Sequence, residues 1–189
     1  MLLKNSAHTV DANLQKHTQH PRPRVQWLCA AHAPGLRPGL REGRGASWAY
    51  VCLPGDLANR QIAGHSVGVR HDADLVLAAF AAPHFPLTDI QVLHTDRGGE
   101  FAGERMERML AAFGITRSLS RPGNPYDNAV VESANRLVKK ELIHRNVYTN
   151  VEQLRLDVNR YVWWYNHQRL HSTLGYLSPV EFTQQGKTL

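Results

Sequence analysis

From Trp48 onward the apolar positions recur at two periods. WAYVCLP has the aromatic and β-branched content of a strand and runs into a turn at PGDLANR. QIAGHSVGVR carries a second strand on Ile62, Val67 and Val69, weakened by Gly64 and Gly68, so that the two form a hairpin around Asp56. DADLVLAAFAA reads as a helix with Asp72 as its N-cap and Pro83 as its stop. DIQVLHTD is a short apolar run ending on Asp96, the pattern of a buried strand. The period then changes: Met106, Met109, Leu110 and Phe113 fall at helical spacing, with Gly114 where a C-cap belongs. ITRSLS is a strand and RPGNPYDN a loop, after which Asp127 caps a helix over residues 128–143 with the stripe Val130, Ala134, Leu137 and Val138. A helix over residues 151–166 lines up Leu154, Val158, Tyr161, Val162 and Tyr165, and the tail ends in a short helix capped by Ser178. Strand, strand, helix, strand, helix, strand, helix, helix is the order of an α/β layer structure.

Residues 1–47 show neither period. They are rich in Pro, Gly and Arg and read as an irregular basic arm. His8, His17, His20 and Cys29 are zinc-binding residue types, but their spacing fits no standard zinc pattern, and a solvated arm is expected instead. Hydrophobic residues at 42% are enough for a core, and the net charge of +6 with a pI near 9.6 suits a nucleic-acid partner. Two cysteines make no disulfide framework, and MLLKNSAHTV lacks the apolar centre of a signal peptide. The longest nearly apolar run, Leu75–Ala82, is too short to cross a bilayer. A cytoplasmic protein without a membrane segment is expected.

Two carboxylates stand out against this pattern. Asp96 closes a strand, and Glu132 lies about 200° round its helix from Val130, away from the apolar stripe and beside Asn135, Arg136 and Lys139. Carboxylates that converge from different elements can hold the divalent cations of a phosphodiester-cleaving site. Each also has an ordinary use: an Asp before Gly-Gly as a turn residue, and a Glu among Lys and Arg as part of a solvated salt-bridge face. Lys139 is about 20° from Glu132 round the helix, placed to hold a phosphate. Tyr165 belongs to the apolar stripe and reads as core, whereas Trp163 and Trp164 lie off it, free to meet a partner or a base.

Three motifs carry a resemblance: HTDRGGEF at 94–101, SLSRPGNPYDNAVVES at 118–133 and YNHQRLHSTLGYLSP at 165–179. From Trp48 to Phe182 the chain resembles the integrase core of DDE-type insertion-sequence transposases, related to retroviral integrases. The resemblance implies a ribonuclease-H-like mixed sheet with flanking helices, and DNA cleavage joined to strand transfer. It also implies Mg²⁺ or Mn²⁺ in a two-metal site held by Asp96 and Glu132 as the second and third catalytic carboxylates. Residues 97–131 separate these two by the family's 35-residue spacing. Lys139 matches the family's basic residue seven after the Glu, and Arg136 and Lys140 join it as expected DNA contacts. The implied partners are element-end and target DNA at the nucleoid, further copies of the chain assembled on DNA, and an upstream helix-turn-helix protein or segment.

The match breaks at the family's first catalytic Asp. Trp27 aligns with the Trp of its Trp-x-x-Asp motif, but three residues on stands Ala30, and CAAHAPGLRPGLREGRG reads unlike any strand. The expected division is therefore a degenerate arm over residues 1–47 and an integrase core over 48–184, with the N-terminal part irregular and the copy defective or truncated. An out-of-frame stretch in a decayed gene copy would produce this pattern. Asp56 and Asp11 are candidate replacements, although Asp56 matches a turn residue outside the family's triad. The alternative is a non-catalytic basic DNA-binding remnant using Arg136, Lys139, Lys140, Arg145, Arg160 and Arg169 on phosphates, and a further alternative is a stand-alone ribonuclease-H-like nuclease.

Overall fold

The computed structural model describes residues 24–36, 47–81, 86–121 and 129–189. Five strands make one mixed sheet: β1 (Arg24–Leu36), β2 (Ser47–Asp56), β3 (Ser66–Gly68), β4 (Val92–Thr95) and β5 (Thr116–Leu119), in the spatial order β3-β2-β1-β4-β5. β1 pairs antiparallel with β2 and β2 with β3, whereas β4 runs parallel to both β1 and β5. The helices are α1 (Ala73–Phe80), α2 (Glu104–Phe113), α3 (Ala129–Glu141), α4 (Val151–His167) and α5 (Pro179–Gln184). A β4-to-β5 crossover through α2 gives the parallel pair its connection.

The sheet separates two apolar clusters, and the alternation of β2 assigns residues to them. Ala49, Val51 and Leu53 join Val138 and Leu142 of α3 and Leu154, Val158, Tyr161, Val162 and Tyr165 of α4. Cys52, from the opposite face, joins Leu75 and Val76 of α1, Leu93 of β4 and Met106 and Leu110 of α2. Every residue expected on the α4 stripe is buried. The helix ends follow their caps: Asp72 accepts from Leu75 N–H at 3.1 Å, Asn150 accepts from Gln153 N–H at 2.8 Å, and Gly114 closes α2 at φ 67°. Ser178 and Glu181 cap α5 reciprocally.

The largest departure from the sequence reading is β1. Residues 24–36 were expected within an irregular arm beginning the chain and ending at residue 47; instead they form the middle strand of the sheet, so the core does not begin at 48. Val25 and Trp27 alternate with Arg24 and Gln26, but the apolar run Leu28–Ala31 breaks the alternation, and Pro34 and Gly35 obscure the strand further. Pro34 is accommodated where the register with β2 slips between Ala33 and Leu36, beyond the stretch paired with β4. β3 is shorter than expected, with Ile62 reduced to an isolated bridge to Gly55 and Val69 exposed. Phe113, placed on the α2 stripe, is 38% exposed. His8, His17, His20, Asp11, Pro83 and Asp127 lie outside the described residues.

Candidate metal and DNA site

β4 delivers Asp96 at the edge where the parallel strands end. Its carboxylate is exposed and accepts from the Gly98 backbone N–H at 2.8 Å, the turn that the Gly-Gly pair permits. β4 and β5 are tied together just before this point. His94 Nδ1 lies 2.9 Å from Ser118 Oγ and its Nε2 3.2 Å from Ser120 Oγ, while Arg97 Nε donates to the Ser120 carbonyl at 3.2 Å. The strand end is thus fixed by the side chains of His94 before it and Arg97 after it, and Asp96 starts from a rigid base.

A second carboxylate on this turn escaped the sequence reading. Glu100, 9% exposed at its side chain, pairs with His71 Nε2 at 3.1 Å, and His71 stacks on Tyr50 with ring centroids 5.3 Å apart. A Cβ at residue 98 would lie 2.5 Å from a Glu100 carboxylate oxygen, so Gly98 makes room for that acid. The only sequence signal was the Glu after Gly-Gly within HTDRGGEF; its partner, His71, is brought to it by the tertiary fold.

Glu132 sits in the first turn of α3, exposed, with no hydrogen bond or ion pair among the described residues. An acid is favourable there because the helix N-terminus carries partial positive charge. α3 packs against β1, and β1 is hydrogen-bonded to β4, so Asp96 and Glu132 come from elements on either side of the same strand. The β1–β4 pairing runs Arg24↔Val92, Val25↔Leu93, Gln26↔His94 and stops two residues short of Asp96. The residues that follow in β1 are Trp27, Leu28, Cys29 and Ala30, and no Asp or Glu occurs anywhere from Arg24 to Leu36.

Asp96 and Glu132 are the hard oxygen donors that Mg²⁺ and Mn²⁺ take. Among the described residues, however, no three His, Cys, Asp or Glu are gathered to hold an ion. Asp56, a candidate replacement, is 5% exposed, accepts from Ala58 N–H at 2.9 Å within its own turn, and has its carboxyl held above the usual range by burial. It serves the turn.

The basic residues divide in two. Arg136 and Lys140 are exposed, Lys139 is partly so, and none makes an ion pair among the described residues. Arg169 is different: its Nε and Nη2 donate to both Glu141 carboxylate oxygens at 2.9 to 3.1 Å, and its guanidinium lies 5.5 Å from the Tyr165 ring centre. That corrects its reading as a phosphate contact, because the guanidinium charge is already paired with a carboxylate and the side chain is mostly buried. Arg160 is paired with Asp157 at 3.3 Å on the surface. Trp163 and Trp164 are exposed at 55% and 37%, whereas Tyr165 is core, as expected. No helix among the described residues is long and apolar enough to cross a membrane.

Comparison with known proteins follows the same lines. One integrase core domain model matches residues 39–125 and another integrase core domain model matches residues 113–179. Neither match includes β1. The chain is 33% identical over 137 residues to the transposase for insertion sequence element IS904 of Lactococcus lactis, a match covering 70% of this chain and 54% of the relative. It is 35% identical over 144 residues to a putative transposase for insertion sequence element IS986/IS6110 of Mycobacterium tuberculosis, covering 72% of this chain and 52% of the relative. The chain thus spans about half the length of the curated relatives it matches. Among solved structures, the simian T-cell lymphotropic virus intasome aligns over 86% of this chain and 54% of that chain, with a TM-score of 0.64 at 16% identity. The magnesium complex of the HTLV-2 integrase catalytic core domain aligns over 86% of this chain and 95% of that one, with a TM-score of 0.59 at 14% identity. At that identity the likeness establishes the ribonuclease-H-like fold. Sequence and fold agree that the chain belongs to the integrase core family of insertion-sequence transposases.

Proposed function

We propose that this chain is the integrase core of a transposase acting in DNA transposition, one that keeps two of three metal-holding carboxylates and is defective in cleavage. Asp96 and Glu132 are the retained pair. The reading rests on one observation: β1, the strand between α3 and β4, has no acidic residue over its whole length, although the elements on either side of it carry Glu132 and Asp96. Membership of the family and the magnesium bound by a related viral core support a divalent ion at this site. A site short of one ligand holds its ion weakly and out of place, so strand cleavage falls with it.

DNA binding draws on different residues and survives. Arg136, Lys139 and Lys140 extend along α3 from Glu132 toward its C-terminus and supply phosphate contacts to element-end or target DNA. Assembly of several copies on DNA, as in the related intasome, completes the proposal. Purified protein mixed with Mn²⁺ and labelled element-end duplex should bind with a steep salt dependence and cut weakly or not at all. Robust cutting that disappears in Asp96→Asn and Glu132→Gln would refute the defect, and metal-dependent, salt-insensitive binding would refute the DNA-binding surface. Ala30→Asp and Leu28→Asp, which return a carboxylate to β1 near the level of Asp96, are the variants in which cleavage should rise.

A further inference from the structure

A cavity of about 420 Å³ lies under the N-terminal half of α3, away from the acidic site. Val130 and Leu137 of α3 form its apolar wall, and Arg60, Tyr165, Arg169 and His171 its polar end. At 100° per residue, Glu132 is about 160° round the helix from Val130 and about 140° from Leu137, so the carboxylate is turned away from the apolar wall of the cavity.

Its two arginines are not placed alike. The Arg169 charge is taken up by Glu141, which receives three hydrogen bonds from it. Arg60 has no carboxylate: its side chain makes no hydrogen bond or ion pair among the described residues, and its Nε is buried without a partner. The nearest acid in the cavity wall, Asp56, is turned into its own loop against Ala58 N–H. Arg60 is also held at φ 63°, in the left-handed region a non-glycine residue rarely adopts, with its backbone N–H donating to the Asp56 carbonyl at 2.8 Å. A strained backbone therefore presents a partly buried guanidinium to a cavity that is apolar at its other end, and its buried Nε donor is costly to leave without an acceptor.

We propose that this cavity is a binding site for an amphipathic monoanion: a carboxylate on a compact apolar or aromatic body, anchored by Arg60. The one lining guanidinium that makes no ion pair among the described residues calls for a single negative charge. The planar guanidinium fork matches a carboxylate edge to edge, and Val130, Leu137 and the Tyr165 ring receive the body. The volume is that of a small-molecule site.

The test titrates the whole chain, by isotope-edited NMR and calorimetry, with phenylacetate, with its uncharged counterpart phenylacetamide and with inorganic phosphate. Phenylacetate should bind, moving backbone resonances of Gly55–Arg60 and Ala129–Leu137, and phenylacetamide should bind at least about tenfold more weakly, since a charge-assisted hydrogen bond is lost. Arg60→Gln should weaken phenylacetate by a similar factor while Arg108→Gln, an exposed position on α2, leaves it unchanged. The NMR map in the unmodified protein stands whether or not the Arg60 variant folds. Equal binding of acid and amide, binding of phosphate in place of phenylacetate, shifts elsewhere, or none at millimolar phenylacetate would each overturn the proposal.

Discussion

Arg169→Ala separates a structural arginine from a DNA-binding one. In the folded chain its guanidinium makes three hydrogen bonds to Glu141, at 2.9, 3.0 and 3.1 Å, and both side chains are 19% exposed. Glu141 has one other donor, the Tyr161 hydroxyl at 2.9 Å. Removing the arginine strands a mostly buried carboxylate on that single bond. Breaking a fully buried pair costs about 3–5 kcal/mol and an exposed one about 0–1. At this exposure the expected loss is nearer the buried limit, about 2–3 kcal/mol, and includes the contact of the side chain with the Tyr165 ring. For a chain of this length that lowers Tm by roughly 5–10 °C. Urea unfolding of the wild type, Arg169→Ala, Glu141→Gln and the double variant gives the coupling energy, expected at about 1–3 kcal/mol. The DNA readout is the second arm: the salt dependence of binding by Arg169→Ala should match the wild type under conditions where both are folded. A stability loss below about 0.5 kcal/mol, or a salt slope reduced by about 0.9, would refute the assignment.

Lys139→Ala, by contrast, should reduce the slope of log Kobs against log salt by about 0.9 with little change in stability, checked by fluorescence anisotropy at several salt concentrations. Asn166 is 1% exposed and its amide closes both Ile62 N–H and Ile62 C=O at 2.9 Å, so Asn166→Ala leaves two buried backbone groups unpaired and should cost about 2–4 kcal/mol in urea unfolding. His171 is pushed from 6.5 down to about 4, by burial first and by the Arg169 guanidinium second. The unfolded chain therefore takes up this proton before the folded one does, and stability is lost as pH falls from 6.5 toward 4 and levels off below. The cap on this effect is about 3 kcal/mol, and screening in a partly solvated pocket brings it to about 1–2; a His171→Gln variant showing the same pH slope would refute it.

Local chemistry made the helices legible and the sheet's centre illegible. The α4 stripe and the Ser178 cap are decided within a few residues, and the sequence pattern names them directly. β1 is decided by what flanks it. β2 and β4 each present backbone donors and acceptors that only a strand between them can satisfy, and that demand overrides Pro34 and Gly35. The site divides in the same way. The positions of Asp96 and Glu132 in the fold were readable because each closes or opens a regular element, but the pairing of Arg169 depends on Glu141, 28 residues earlier. Likewise the Glu100–His71 pair and the bare guanidinium of Arg60 arise from contacts across the fold, which no periodicity encodes.

On the proposed reading, a fold can outlast its chemistry because the two draw on different atoms of β1. Strand pairing uses the backbone and is indifferent to whether residue 28 or 30 carries an acid, so the sheet forms without one there. The survivors then differ in what else they do. Asp96 also holds its turn through Gly98 N–H, whereas Glu132 has no protein partner among the described residues. In metal-free buffer, Asp96→Ala should therefore cost about 0.5–1.5 kcal/mol, the worth of one hydrogen bond. Glu132→Ala should leave stability within about 0.5 kcal/mol. An intact three-acid site would behave in the opposite way, since removing one of several crowded carboxylates relieves repulsion and stabilises the metal-free protein. Thermal unfolding in EDTA, with and without added Mn²⁺, reads this directly. If Glu132→Ala raised Tm in EDTA while Mn²⁺ raised that of the wild type, the carboxylates would be gathered as in a working site, and the assignment of a defective core would fall.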